Sequence, residues 1–410
     1  MKPATSSKLG VLGSLYFSQG LPFGFFTQAL PVLLRKQGVS LGEIGLASLL
    51  AMPWAMKFVW APVVDQYWIA RVGRRKSWIV PLQLASIGIL AALATSSSSR
   101  SMTVLMGAVL LLNLVAATQD IATDGLAVDL LAPSQRGFAN GLQVAGYRVG
   151  MIVGGGVLLI LHDRLGDAGA FLSMAVLTGI ATLPIAIARE PRRPEPQGRP
   201  GMNVHFLRRS GAPQLLALIA VYKAGDAFAT GMLRPFLADS GLTLADIGWL
   251  LGTVGFVAGL LGALCGGVLV NRMGRKQALV TFGLLQAGTV AGYAYLTIAH
   301  PTPAALYTLC AAEHLAGGMA TAALFTCMMD WCSREASATD YTVQASAVVI
   351  VTGVASAVAG FSAQALGYLG HFGLATALAL GALIAVQRWF PSPEAVSAIR
   401  RGTKEVVSCA

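Results

Sequence analysis

Twelve apolar runs fix what this chain can become. They cover about residues 9–34, 44–64, 77–95, 102–131, 137–161, 168–188, 213–237, 245–270, 277–298, 303–332, 340–366 and 370–390. Each is close to the roughly 20 residues that a helix needs to cross a bilayer. Hydrocarbon offers the backbone no water, so every run must close its own hydrogen bonds as a helix. Composition argues against several soluble domains. Of the 410 residues, 55% are hydrophobic and 11% are charged, against roughly 25% charged in soluble proteins. The reading is an all-α integral membrane protein. The first run is too long for the apolar core of a signal peptide, so no cleaved leader is expected. Cys265, Cys310, Cys327, Cys332 and Cys409 form no CxxC pair. Four of them lie in apolar runs, where a thiol packs as a small hydrophobe.

The net charge of +11 suggests nucleic acid, but its distribution argues for topology instead. With both termini in the cytoplasm, the tails, the even-numbered links and the central linker hold 21 of the 29 Lys and Arg. The opposite loops hold four, Arg35, Lys36, Arg100 and Arg164. The remaining four, Lys57, Arg148, Lys223 and Arg234, lie in helices or at their ends. That asymmetry is the positive-inside pattern. No nucleic-acid partner is expected.

The chain also repeats itself. "GVSLGEIG" at 38–45 returns as "GLTLADIG" at 241–248, and "VGRRK" at 72–76 returns as "MGRKQ" at 273–277. Asp129 with Gln143 maps onto Asp330 with Gln344. The shifts are 203, 201 and 201 residues. Twelve transmembrane helices thus divide into two pseudo-repeated six-helix bundles, residues 1–188 and 213–392. A Pro- and Arg-rich cytoplasmic linker, 189–212, joins them, and a tail, 393–410, follows. Two parallel halves of this kind resemble the major facilitator fold.

The links carry a second resemblance. "APVVDQYWIARVGRRKSW" resembles the superfamily's cytoplasmic signature between helices 2 and 3, with five extra residues between Asp65 and Gly73. The second copy, "GGVLVNRMGRKQ", has the usual spacing but Asn271 in place of the acid. "APSQRG" at 132–137 resembles the turn between helices 4 and 5. The resemblance implies that Asp65, Arg74, Arg75, Asp129 and Arg136 form a cytoplasmic gate. Carboxylates beside arginines and helix N-termini make charge-assisted bonds that can exchange. The plainer alternative is that the basic residues only mark the cytoplasmic face.

"SLYFSQGLPFGFFTQALPVLLRKQGVSLGEIG", "PWAMKFVWAPVVD" and "TQDIATDGLAVDLL" together resemble one branch of the superfamily. It holds the muropeptide permeases, the acetyl-CoA transporter-like proteins and the bacterial RhtX/FptX siderophore permeases. The stretch "QGLPFGFFTQALPVLLRKQG" is most similar to the siderophore group, including its pyochelin-type members. The resemblance implies import of a ferric siderophore across the bacterial inner membrane.

Charged residues inside the runs locate a candidate site. Asp120 lies eleven residues before the end of its helix near Leu131, so roughly 16 Å deep. Asp124 is one turn lower on the same face. Arg148 lies eleven residues into the next helix from Gly137, so it is expected to pair with Asp120. These three are the proton-coupling candidates. Tyr16, Gln19, Trp54, Lys57, Lys223, Asp226, Glu313 and His314 fall at similar depths and are the candidates for a central substrate cavity. A charge at mid-bilayer costs at least about 2.5–3.5 kcal/mol, which favours the bundle interior. Each residue also has a plainer reading: Asp120 with Arg148 as a static pair, Lys223 with Asp226 neutralising each other, the aromatics as packing.

No HExxH, Walker lysine loop, GxSxG or paired CxxC occurs, and His314 is the one histidine placed deep. Neither enzyme chemistry nor a cofactor nor a metal site is expected. Without a nucleotide site, gradients must drive transport, and a cavity carboxylate suits protons. The favoured expectation is a monomeric, proton-coupled permease for a ferric siderophore, working by alternating access. The alternative is a permease for muropeptides or another anionic conjugate such as a CoA ester. A different class, a transport-inactive membrane sensor or scaffold, would have static pairs and no flux.

Overall fold

The computed structural model describes residues 3–36, 38–39, 47–96, 101–190, 205–209, 211–299, 302–392 and 394–396. Linker residues 191–204, tail residues 397–410, Arg100 and the landmark residues 40–45 lie outside the described residues. Among the described residues the regular elements are helices, joined by turns and irregular links, with an isolated antiparallel bridge between Ile69 and Gly73.

The first spanning segment, α1, comprises Pro3–Gly24, a π turn at Phe25–Ala29 and Leu30–Lys36. Pro22 is inside it. The second, α2, is a chain of short pieces: Ser48–Ala51, Met52–Met56, Lys57–Val59 and Ala61–Gln66. Pro53 and Pro62 each start a new piece, because proline fits a first turn but donates no N–H to an earlier one. Next come α3 (Lys76–Thr95) and α4 (Met102–Leu130). α5 begins as Pro133–Ile152 and continues through a π turn at Val153–Val157. Gly166 divides it from α6, which ends at Ile187. In the second half, α7 is Ala212–Gly231 with Leu233–Asp239. α8 is Leu244–Trp249, a π turn at Leu250–Val254, and Gly255–Met273. α9 is Arg275–Leu296 and α10 is Pro303–Asp330. Ser337–Trp389 holds α11 and α12, divided at Gly367.

The two dividing glycines are 201 residues apart and adopt one conformation, φ 67° and ψ −175° at Gly166, φ 64° and ψ 175° at Gly367. Other residues rarely take that backbone, so the same hairpin between consecutive helices was built twice.

Among the described residues, seven helices are long and apolar enough to cross a membrane, counting Ser337–Trp389 once. The segments α1, α2, α5 and α10 miss that standard. They are also the segments bearing Tyr16 and Gln19, Trp54 and Lys57, Arg148, and Glu313 with His314. In α2 the shortfall is one of length, since its apolar stretch Leu49–Val59 is short.

The chain forms two compact units. One takes its residues from 1–130, 145–204 and 335–342, the other from 131–144, 205–334 and 343–410. Thus the start of α5 belongs with the second unit and the start of α11 with the first. In the first unit α1 and α5 meet through small residues. A Cβ on Gly20 would strike the Tyr147 carbonyl, and one on Gly150 the Phe17 carbonyl. Close backbone approach of this kind is how helices associate in lipid, where burying apolar surface gives no advantage. A second core joins α1, α3, α4 and α6 through Leu21, Phe25, Leu90, Leu105, Val109 and Phe171. In the other unit, Gly262 and Gly318 bring α8 and α10 together in the same way. Gly137 at the start of α5 lies against Gly267 of α8.

Candidate functional site

The first unit brings together Tyr16 of α1, Lys57 of α2, and Asp120 and Asp124 of α4. Lys57 Nζ is ion-paired with Asp120 Oδ2, and both residues are buried. The ammonium also lies 5.7 Å from the centre of the Trp54 ring. One turn along α4, Asp124 Oδ1 accepts from the Tyr16 hydroxyl at 2.9 Å. Trp54 Nε1 donates to Asn113 Oδ1 at 3.1 Å, and Trp60 Nε1 to Thr118 Oγ1 at 3.1 Å. These bonds let the broken α2 lie along α4 with its indoles fixed. Phe23 completes an aromatic wall, 5.4 Å from Trp54 and 5.7 Å from Tyr147. Gln19 is buried, and its carboxamide has no hydrogen-bond partner among the described residues.

The expected Asp120–Arg148 pair is therefore corrected: the cation on Asp120 is Lys57. Matched depth does not settle which way a side chain points. Arg148 is two residues from each of Gly146 and Gly150, about 200° around the helix from the face that α1 occupies. It is half-buried. Phe23, Asn113, Thr118 and Tyr147 were missed as neighbours. Asn113, a lone amide in the apolar run "TVLMGAVLLLNLVAA", was the available signal.

The second unit holds two further polar pairs. Lys223 Nζ lies 2.7 Å from Asp226 Oδ2 and 3.5 Å from Thr321 Oγ1 of α10. Glu313 and His314 are neighbours in the chain, and His314 Nδ1 is 2.6 Å from Glu313 Oε2. The imidazole also lies 3.0 Å from the Cys310 carbonyl. Glu313 Oε2 has no aligned hydrogen bond, so the contact with His314 is a close approach of the two groups. His371, unmarked by the sequence reading, is wholly buried with its ring 4.5 Å from that of Phe228.

The arginine-rich links build one network in each unit. In the first, Asp65 Oδ1 binds Arg74 Nη2 at 2.8 Å and Arg75 Nη2 at 2.7 Å. Its Oδ2 accepts from the Thr339 N–H at 2.7 Å and the Thr339 hydroxyl at 2.6 Å. Asp65 thus caps the N-terminus of α11, where unpaired N–H groups favour an anion. Burial opposes its charge, but Arg75, Arg74 and the Thr339 donors outweigh burial and hold the carboxyl below the usual range. Arg75 Nε reaches Asp129 Oδ2 at 3.2 Å, and Ser337 Oγ donates to Asp129 Oδ1 at 2.7 Å. Glu190, after α6, accepts the backbone N–H of Arg75 and Lys76 at 3.0–3.1 Å and so caps α3.

The second unit repeats the plan. Arg275 Nε binds Asp330 Oδ2 at 2.9 Å, and Arg136 Nη1 binds Asp330 Oδ1 at 2.8 Å. Asn271 Oδ1 accepts from Arg275 Nη1 at 3.0 Å. Arg136 and Ser337 occupy equivalent places, 201 residues apart, each on the aspartate that ends a long helix. The roles pair Arg75 with Arg275, one residue off the alignment of Gly73 with Gly274. Both glycines have positive φ, 120° and 85°, which other residues rarely adopt.

Known proteins place this architecture. The family Acetyl-coenzyme A transporter 1 matches residues 8–104 and 92–165, and the Major Facilitator Superfamily matches residues 215–408. The anhydromuropeptide permease of Escherichia coli K12 is 32% identical over 385 residues, covering 91% of this chain and 78% of that protein. Among solved structures, the Major Facilitator Superfamily transporter FucP in its outward conformation has a TM-score of 0.71 at 16% identity, over 92% of this chain and 97% of FucP. The human organic anion transporter MFSD10 has a TM-score of 0.73 at 14% identity, over 94% and 100%. These two likenesses concern the fold alone. The chain belongs to the major facilitator superfamily of multi-pass membrane transporters, in the branch that holds the anhydromuropeptide permease and the acetyl-coenzyme A transporter family.

Proposed function

We propose that the chain is a proton-coupled permease that imports anhydromuropeptides or closely related anionic sugar–peptide conjugates across the bacterial inner membrane. The observation that carries this reading is the near full-length similarity to the Escherichia coli anhydromuropeptide permease. It takes precedence over the ferric siderophore expectation, which rested on the wording of residues 19–38. The first unit's chemistry agrees. A sugar–peptide offers carboxylates to cations and sugar faces to aromatic rings. Lys57 and Arg148 supply the first, Trp54, Trp60, Phe23 and Tyr147 the second. Lys223 adds a cation in the second unit. Asp124, held by the Tyr16 hydroxyl, and Asp120, held by Lys57, are the proton carriers on this reading. Both termini are cytoplasmic on it, and Asp65 with Arg74, Arg75, Asp129 and Arg136 closes the cytoplasmic side.

The test is uptake by cells lacking their own permease and expressing this chain. Labelled anhydromuropeptide, a ferric siderophore and a CoA ester are offered separately, with and without a protonophore. The expected result is protonophore-sensitive accumulation of the muropeptide alone. Accumulation of the siderophore or the CoA ester instead would replace the substrate class. Accumulation untouched by protonophore would remove the coupling. No flux of any compound at normal membrane abundance would favour a sensor or scaffold.

A further inference from the structure

The two repeats differ in length at one link. Eight residues lead from Asp65 to Gly73, and three from Asn271 to Gly274. The structure shows what the extra five residues make. The N–H groups of Val72 and Gly73 both donate to the Ile69 carbonyl, at 2.9 and 3.0 Å. Ile69 and Gly73 then form the isolated antiparallel bridge. This tight turn is pinned from below. Trp78 Nε1 donates to the Tyr67 carbonyl at 2.5 Å, and the Ile69 N–H donates to Ser77 Oγ at 3.3 Å. The Arg74 guanidinium lies 5.3 Å over the Trp68 ring.

The pinned turn presents apolar side chains outward. Tyr67 is 54% exposed, Ile69 59% and Val72 43%. Apolar exposure along a spanning helix is met by lipid tails, but this exposure is on a turn that starts where α2 ends. It is therefore at the level of the headgroups. Arg71, also exposed, is the one charge among the seven residues between Asp65 and Gly73. Tyr and Trp beside a cation at the end of a spanning helix are the side chains that settle in the bilayer interface. A basic residue there attracts acidic lipid. In the second repeat α8 runs on to Met273 and Gly274 alone links it to α9, so joining two helices does not explain the extra five.

We propose that the turn Tyr67–Val72 is a lipid-interface wedge, in which Tyr67, Ile69 and Val72 insert among headgroups and Arg71 binds the headgroup of an acidic phospholipid. The wedge is tied through Trp68 and Arg74 to Asp65, and hence to the cap on α11. The state of the Asp65 network then depends on the lipid around it.

The test places a nitroxide spin label on Ile69→Cys in full-length protein whose native cysteines are replaced. The protein is reconstituted into vesicles of phosphatidylcholine, with and without phosphatidylglycerol. The expected label is more accessible to oxygen, which partitions into lipid, than to a water-soluble nickel chelate. Phosphatidylglycerol around the protein should be enriched about fivefold, and Arg71→Gln should abolish the enrichment. A label open to the nickel chelate in both vesicles overturns the wedge. A label shielded from both reagents overturns it in favour of a protein partner or a second copy. Enrichment unchanged by Arg71→Gln overturns the assigned headgroup contact. Tyr67→Cys provides a second label position should Ile69→Cys fail to fold.

Discussion

Lys57→Met tests the pairing at the heart of the first unit. It keeps most of the side chain's stem and removes the ammonium from Asp120. Both residues are buried, at 3% and 7% exposure, so water cannot replace the lost partner. Stranding a buried charge costs about 3–5 kcal/mol. Losing the cation over Trp54 removes about 1 kcal/mol more. The single change should therefore destabilise by about 4–6 kcal/mol, as the sum of those two terms. Adding Asp120→Asn removes the stranded charge and leaves an amide with unmet hydrogen bonds, worth about 1–3 kcal/mol. With the Trp54 contact still gone, the double change should cost about 2–4 kcal/mol. The double variant is thus expected to be more stable than Lys57→Met by roughly 2 kcal/mol, a reversal that independent sites do not give. Thermal unfolding of purified protein in detergent reads this, beside membrane abundance. Arg148→Met with Asp120→Asn should show no such rescue over Arg148→Met. A double Lys57/Asp120 variant as unstable as the single one, with rescue in the Arg148 series instead, would refute the assignment of Lys57 as partner.

Asp65→Asn should lower the thermal midpoint and slow transport, because Arg74 and Arg75 lose their shared carboxylate and the α11 cap weakens by about 1 kcal/mol or more. The Asp65 carboxyl is held below its ordinary value of 3.8. Its contribution should therefore be complete at neutral pH and be lost only as acid carries the pH down through that depressed value. A network that loosens near neutrality, read by spin labels, would contradict this. Glu190→Ala removes the acceptor for the Arg75 and Lys76 N–H groups and should cost about 0.5–2 kcal/mol without changing substrate affinity in a binding assay. Gly150→Val should sharply reduce membrane abundance, because α1 would have to leave α5. Gly156→Ala, where a Cβ meets nothing within 4 Å, is the control and should be neutral.

The sequence made the architecture legible because lipid imposes length and hydropathy on every spanning helix, and because the repeat showed where one half ends. The interruptions were harder to see. The π turns in α1, α5 and α8 have no residue that demands them, whereas Pro53 and Pro62 did announce the broken α2. Depth counting put Lys57 and Asp120 at similar depths, and the structure pairs them. It could not choose between Lys57 and Arg148, since depth says nothing about azimuth. The Gly146 and Gly150 spacing held that answer, but only once α1 was known to lie against it. Asp65 was visible as an acid before "GRRK". Thr339, its donor 274 positions away, left no local trace.

That separation has a consequence for how the chain is made. The ribosome releases Asp65 274 residues before Thr339, roughly 14–55 s earlier at about 5–20 residues per second. Asp129 likewise waits 208 residues for Ser337. Through that interval the first bundle sits in the membrane with Asp65 and Asp129 lacking their donors from α11. Its last helix cap arrives when most of the second bundle has already been synthesised. A messenger truncated before Glu335 therefore yields a first bundle whose buried acids lack their final donors, and cellular proteolysis should recognise it as unfinished.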